Sequence, residues 1–208
     1  MFEGEIMRRM VFPGDLLADG RIESRGVFVE DGKSYASLLG LYDDSSRVFI
    51  PLEGAYEPQE GDLLLGVVSD MRPNGYYIDT GMPNETFLSS KDFKETLEVG
   101  DIILAKVRSV DEVKNISISD PMILKNGNII HVSPVKIPRI IGKKGSMLSL
   151  IKDATGSKIV VGKNGWIWIS GGNAYLATKA ILKVESEAHT SGLTDKMAEF
   201  LKKGGMNG

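Results

Sequence analysis

No cysteine occurs among the 208 residues. Disulfides, thiolate zinc sites and thiol nucleophiles are thereby excluded, and a reducing compartment is permitted. No apolar run approaches the roughly 18 residues that cross a bilayer. The N-terminal stretch MFEGEIMRRM balances two Glu with two Arg and lacks the apolar region of a signal peptide. A soluble, cytoplasmic protein without membrane attachment is expected. Histidine is scarce: His131 and His189 have no ligand partner at close spacing and read as a strand-end and a helix-end residue. Neither G-x-x-x-x-G-K-[ST] nor G-x-S-x-G occurs, and Asp43-Asp44 reads as a turn. No catalytic site, metal or cofactor is expected. Net positive charge is absent as well: the chain carries −3, which by itself speaks against a nucleic-acid partner.

The distribution of charge reverses that inference. Residues 1–57 carry 6 Lys+Arg against 11 Asp+Glu, residues 58–120 carry 6 against 12, and residues 121–208 carry 13 against 5. Between 125 and 163 there are eight basic residues and one acidic, Asp153. This is the pattern of a polyanion-binding C-terminal domain on an acidic chassis.

Three segments are legible. Residues 1–57 show short alternating stretches, RGVFVEDGKSYASLLG and RVFIPLEG, broken at Pro13-Gly14 and Asp31-Gly32, which predicts a small all-β domain. Residues 58–120 hold five predicted strands: Leu63 to Asp70, Tyr76 to Asp79, a short one at Phe87-Leu88, Ile102 to Val110, and Asn115 to Ser119. Five strands in about sixty residues predict a small barrel, of OB-fold or SH3-like type. Residues 121–208 mix both periods. The order is a strand at NIIHV, a short helix ending at Gly142, a helix over SMLSLIKDATG, strands at SKIVVG and GWIWIS, and a long helix capped by Asn173. Ser146 is the expected cap of the second helix, Gly156 its stop, and Gly162-Lys163-Asn164-Gly165 a tight hairpin. A last helix, TDKMAEFLKK, leads into a glycine-rich tail.

Between the first two of those helices lies Gly142-Lys143-Lys144-Gly145. Glycine lets backbone approach a ligand closely, a helix N-terminus offers unpaired N–H groups and positive potential, and two lysines add mobile charge. Their mutual repulsion is relieved when phosphates lie over the turn, so the stretch reads as a phosphate clamp. Inside the strand–helix–helix–strand–strand–helix order, this resembles the KH domain of type I, βααββα, over about residues 126–189. That module clamps about four nucleotides of single-stranded nucleic acid. The resemblance implies Arg139, Ile140, Gly142, Lys143, Lys144 and Gly145 as RNA-binding residues. Ile140, Ile141 and Leu148 are placed at one wall of a base groove, with core as the simpler place for Leu148. Lys158 and Lys163 read as solvated surface, and Trp166 and Trp168, on one face of a strand, as core or interface.

The middle segment resembles an S1-type barrel. GVVSDMRPNGYYIDTG looks like its first hairpin, with aromatics where that family stacks bases. Tyr76 and Tyr77 face opposite ways, so only one reaches the platform; Arg72, Lys106 and Arg108 are candidate backbone contacts. After Gly81 the stretch MPNETFLSSKDF departs from the family's glycine-led, histidine-containing pattern. Taken in order, VFPGDLLADG, RVFIPLEGAYEPQEGD, the barrel, RIIGKKGSM and VGKNGWIWI resemble the cap subunit of the archaeal RNA exosome that carries both S1 and KH domains. That resemblance implies a non-catalytic protein that guides single-stranded RNA. It implies a trimeric cap on a hexameric ring of RNase PH-like subunits, which degrades RNA 3′→5′ by phosphorolysis, with the N-terminal domain gripping the ring. The sister cap with a zinc ribbon is excluded by the lack of cysteine. A free-standing RNA adaptor shares the barrel and KH domain but leaves the N-terminal strands unexplained.

Overall fold

A computed structural model describes residues 8–24, 26–52, 56–93, 95–188, 190 and 192–205; the helix-end reading of His189 and the glycine-rich end of the tail lie outside them. The chain divides into two compact units, residues 1–55 and residues 56–208. No described helix is long and apolar enough to cross a membrane.

The first unit holds β1 (Arg8–Val11), β2 (Leu16–Asp19), β3 (Val27–Glu30), β4 (Lys33–Ala36), β5 (Gly40–Asp43) and β6 (Val48–Pro51). They form two antiparallel three-stranded sheets, ordered β1-β5-β6 and β2-β4-β3. Val11, Leu17, Ala36, Tyr42 and Phe49 make a small core. Asp43 at the end of β5 is buried. It accepts hydrogen bonds from the Ser45 hydroxyl at 2.6 Å and from the Ser45 and Ser46 N–H groups at 3.0 and 3.1 Å. These bonds, led by that of the Ser45 hydroxyl, hold its carboxyl at about 2. The turn expected at Asp43-Asp44 is thus an acidic side chain folded over its own backbone.

The second unit begins with a barrel of β7 (Leu63–Arg72), β8 (Gly75–Asp79), β9 (Thr86–Ser89), β10 (Ile102–Val110) and β11 (Ile116–Leu124). It closes in the order β10-β11-β9-β8-β7, all pairs antiparallel except β9 with β11. That closure, with its single parallel pair between the third and fifth strands, is the OB-fold rather than an SH3-like barrel. Leu64, Val68, Ile78, Leu88, Ile103, Val107, Ile116 and Ile118 fill the interior. Tyr56, ahead of the first strand, packs against them.

β12 (Asn128–His131), α1 (Ile137–Ile141), α2 (Ser146–Thr155), β13 (Lys158–Val161), β14 (Trp166–Ser170), α3 (Ala174–Ser186) and α4 (Leu193–Gly205) follow. The sheet is antiparallel, ordered β12-β14-β13. Ile167 and Ile169 on β14 face a core completed by Ile151, Ala177, Ala180, Ile181, Val184 and, from α4, Met197 and Leu201. Asn173 caps α3, its Oδ1 accepting from the Leu176 N–H at 3.0 Å. Gly156, at φ 64°, ends α2. The cap of α2 differs from expectation: Gly145 occupies it and Ser146 is the first helical residue. The preceding turn ends in left-handed backbone, which glycine adopts at no steric cost.

Candidate nucleic-acid interface

The Gly142–Gly145 turn is built from backbone that few residues tolerate. Gly142 lies at φ 75° and ψ 173°, a region essentially reserved for glycine. A Cβ there would fall 2.7 Å from the Met147 nitrogen. Lys144 takes a left-handed conformation, φ 54° and ψ 28°, and Gly145 follows at φ 81° with open space where a Cβ would be. No side chain caps α2, so the helix's N-terminal potential stays directed at whatever lies over the turn. Lys143 and Lys144 are exposed, as is Arg139 in the last turn of α1. Ile140 requires correction as a contact residue: it has no exposed surface and belongs to the core. Its neighbour Ile141 and Leu148 on α2 are half-buried against that core and lie nearer the surface.

On the barrel, alternation separates the two tyrosines. Tyr76 turns inward, packs against the barrel core, and its hydroxyl oxygen accepts from the Leu97 N–H at 3.4 Å. It is therefore corrected from a candidate stacking residue to a structural one. Tyr77 turns outward and meets Phe87, its register partner on β9, edge to face with ring centroids 5.5 Å apart. Phe87 was not among the sequence candidates; its alternation with fully buried Leu88 is the signal that marks it as outward-facing. Beside Tyr77 runs an open groove lined by Asp70, Arg72, Asn74, Asn84 and Glu85. Arg72 pairs with Asp70 at 2.7 Å, so its charge is already partly neutralised. Lys106 and Arg108 are exposed on β10. Register sets them apart: Arg108 sits in a bulge beside Ser109, which lies across Ser117 from Phe87, whereas Lys106 lies opposite Leu63 at the far end of β7. The structure thus brings together Tyr77, Phe87 and Arg72, and leaves Lys106 outside that patch.

The barrel and the C-terminal domain meet at the hairpin Gly162–Gly165. β8 pairs with β7 only from Val67 onward, so backbone groups of Leu63 and Leu65 extend past its end. The hairpin takes them up. The Lys163 N–H donates to the Leu63 carbonyl at 2.8 Å. Buried Asn164 accepts from the Leu65 N–H at 3.2 Å and donates to the carbonyls of Leu65 and Thr80 at 2.8 and 2.9 Å. Lys163 is exposed, as expected of solvated surface, and its ammonium group pairs with Asp62 at 2.8 Å. Burial pushes the Asp62 carboxyl up, but hydrogen bonds from Lys163, the Tyr56 hydroxyl and the Gln59 N–H outweigh it and hold the carboxyl below its ordinary value. Trp166 lies against Gly81 of the barrel and meets the His131 ring at a tilt of 53°, centroids 4.6 Å apart, while Trp168 is buried over Gly127.

An OB barrel with an outward aromatic pair, joined to a βααββα domain with a basic glycine turn, defines a class of two-module nucleic-acid-binding proteins. The KH domain family model matches residues 127–175. Exosome complex component Rrp4 of Thermococcus kodakarensis is 39% identical over 93% of this chain and 85% of its own length. That of Methanosarcina mazei is 41% identical over 94% and 82%. A crystal structure described as an exosome complex RNA-binding protein is 31% identical, with a TM-score of 0.66 over 72% of this chain and 97% of that one. The chain belongs to the Rrp4 family of exosome complex components.

Proposed function

We propose that this protein binds single-stranded RNA as a non-catalytic cap of a cytoplasmic exosome and guides the strand into a phosphorolytic 3′→5′ ring. The cap is a trimer on a hexamer of RNase PH-like subunits, held through residues 1–55. The observation that carries the RNA-binding half is the exposed Lys143-Lys144 pair on a turn whose first residue must be glycine, at the uncapped start of α2. Backbone can approach a phosphate there, and both ammonium groups are free to follow it. Arg139, Gly142, Lys143, Lys144 and Gly145 form the primary contact. Tyr77, with Phe87 as its support, forms a second contact that stacks a base, while Arg72 and Arg108 attend the backbone. Membership in the Rrp4 family supports the assembly half.

Two measurements test this reading. Lys143→Asp with Lys144→Asp should abolish most binding of labelled single-stranded RNA by the full chain, while its circular dichroism is unchanged. The untruncated protein should co-purify with ring subunits from its own organism. Unchanged RNA affinity in the double variant removes the first half of the proposal, and a failure to co-purify removes the second.

A further inference from the structure

The groove beside Tyr77 offers different chemistry at its two ends. We infer that it reads the edge of a base as well as stacking one: Glu85, with Asn84 beside it, accepts from the amino group of cytosine, so the barrel takes cytosine in preference to uracil. The inference rests on the reading that Tyr77 stacks a base.

Hydrogen bonding decides what each lining group has left to offer. Toward the hairpin tip, Asp70 uses both carboxylate oxygens locally. One accepts from the Met71 N–H at 2.8 Å and the other pairs with Arg72 at 2.7 Å. Asp70 is thus a positioning residue that holds the guanidinium at this end, where a phosphate is its natural partner. At the other end the Asn84 amide nitrogen donates to the Val113 carbonyl at 3.5 Å, which leaves Oδ1, an acceptor, as its open atom. The Ser69 hydroxyl donates to the Tyr77 carbonyl at 3.1 Å and keeps only acceptor capacity. Glu85 is exposed, and among the described residues no hydrogen bond or ion pair engages its carboxylate. Its backbone is nevertheless fixed, because its carbonyl accepts from the Ile116 N–H at 2.8 Å. The side-chain groups left open at the Asn84–Glu85 end are therefore acceptors.

The two ends are set about one nucleotide apart. Gly75 is the register partner of Arg72, and Ile78 that of Thr86, next to Glu85. These are three residues apart on β8, about 10 Å along a strand, and Tyr77 lies between them. A nucleotide stacked on Tyr77 with its phosphate toward Arg72 carries its base edge toward Glu85. Charge fixes that orientation, since the reverse would set a phosphate against the Glu85 carboxylate. Cytosine then presents an amino group with two N–H donors, and acidic side chains accept from that group. Two neighbouring acceptors, the Glu85 carboxylate and Asn84 Oδ1, suit both donors. Uracil places a carbonyl oxygen there instead, so acceptor meets acceptor and neither is satisfied. In an open groove the discrimination belongs at the low end for such a pair, about fivefold.

Fluorescence anisotropy of the full chain with cytidine and uridine oligomers of about eight residues, within the reach of one barrel, tests this. The parent should favour the cytidine oligomer by about fivefold. Glu85→Gln keeps the side chain's shape but can turn a donor toward the uracil carbonyl, and should bring the two affinities to within about twofold of each other. An oligomer of N4,N4-dimethylcytidine, which lacks the amino N–H groups, needs no variant and should bind the parent no better than the uridine oligomer. A parent without the preference overturns the inference. So does a preference that survives Glu85→Gln, even if both affinities rise, because Glu85 would then act only as a general negative charge. A dimethylated oligomer that binds as well as cytidine does the same. The stacking reading fails separately, if Tyr77→Ala leaves both affinities unchanged.

Discussion

Lys144 offers a way to separate charge from backbone at the turn. It sits in left-handed conformation at φ 54°, which costs a residue with a Cβ roughly 1–2 kcal/mol. Lys144→Gly removes that cost but adds unfolded-chain entropy of about 0.5–1 kcal/mol. The variant should therefore be as stable as the parent, or more stable by up to about 1.5 kcal/mol. Its RNA affinity should nevertheless fall, because one ammonium group is gone. The salt dependence gives the count. For single strands the slope of log affinity against log salt is about −0.7 per phosphate neutralised. Lys144→Gly should flatten it by about 0.7, and Lys144→Gly with Lys143→Ala by about 1.4. Over a tenfold rise in salt the double variant should then lose about 25-fold less affinity than the parent does. Lys143 and Lys144 are both exposed, so neither change should unfold the domain. Fluorescence anisotropy across a salt series, paired with urea unfolding, reads both quantities. If the salt slope stays at the parent value while stability moves as expected, RNA does not lie over this turn.

Four further outcomes follow from named groups. Gly142→Ala puts a Cβ 2.7 Å from the Met147 nitrogen in backbone that strains other residues by about 1–3 kcal/mol; urea midpoints and RNA affinity should both drop, with lysine charge untouched. Tyr77→Ala should weaken RNA binding by about 1–3 kcal/mol with little change in stability, and Tyr76→Ala should lower stability by about 3 kcal/mol; the reverse assignment would contradict the inward and outward placement. Removing residues 1–55 should leave RNA affinity intact and abolish co-purification with the ring, whereas removing 1–57 also takes Tyr56 and its hydrogen bond to Asp62, lowering barrel stability by about 1–3 kcal/mol. Asp43, whose folded value of about 2 lies below the ordinary 3.8, stabilises the first unit above about pH 4 and loses that contribution as pH falls through about 2; its Ser45 and Ser46 amide resonances should titrate near 2, not near 3.8.

The C-terminal domain was largely legible because its signals are local. Glycine positions, Asn173 and the switch between periods 2 and 3.6 each mark an element within a few residues. The barrel strands were legible for the same reason, but their closure was not: the parallel pairing of Thr86–Leu88 with Ile116–Ile118 leaves no local trace and alone separates OB from SH3-like. Choosing between Tyr76 and Tyr77 needed the inner face of β8, and the bulge in β7 between Val68 and Asp70 breaks the alternation that a sequence count relies on. Ile140 and Ile141 posed the same problem on a helix of five residues, too short for a periodicity to fix its buried side. Asn164 read as a turn residue because its partner Leu65 is 99 positions away.

That separation has a consequence for how the chain is made. All five barrel strands have left the ribosome once Leu124 has emerged, yet the Leu65 groups that bond Asn164 must wait another stretch of translation. At about 5–20 residues per second the gap from Leu124 to Asn164 lasts roughly 2–8 s. During it the nascent barrel shows an open strand edge at Leu63 and Leu65, of the kind that templates pairing with a second chain. A stalled chain ending between these points should be the aggregation-prone species on the ribosome, and its capture by chaperones should cease once the Gly162–Gly165 hairpin is released.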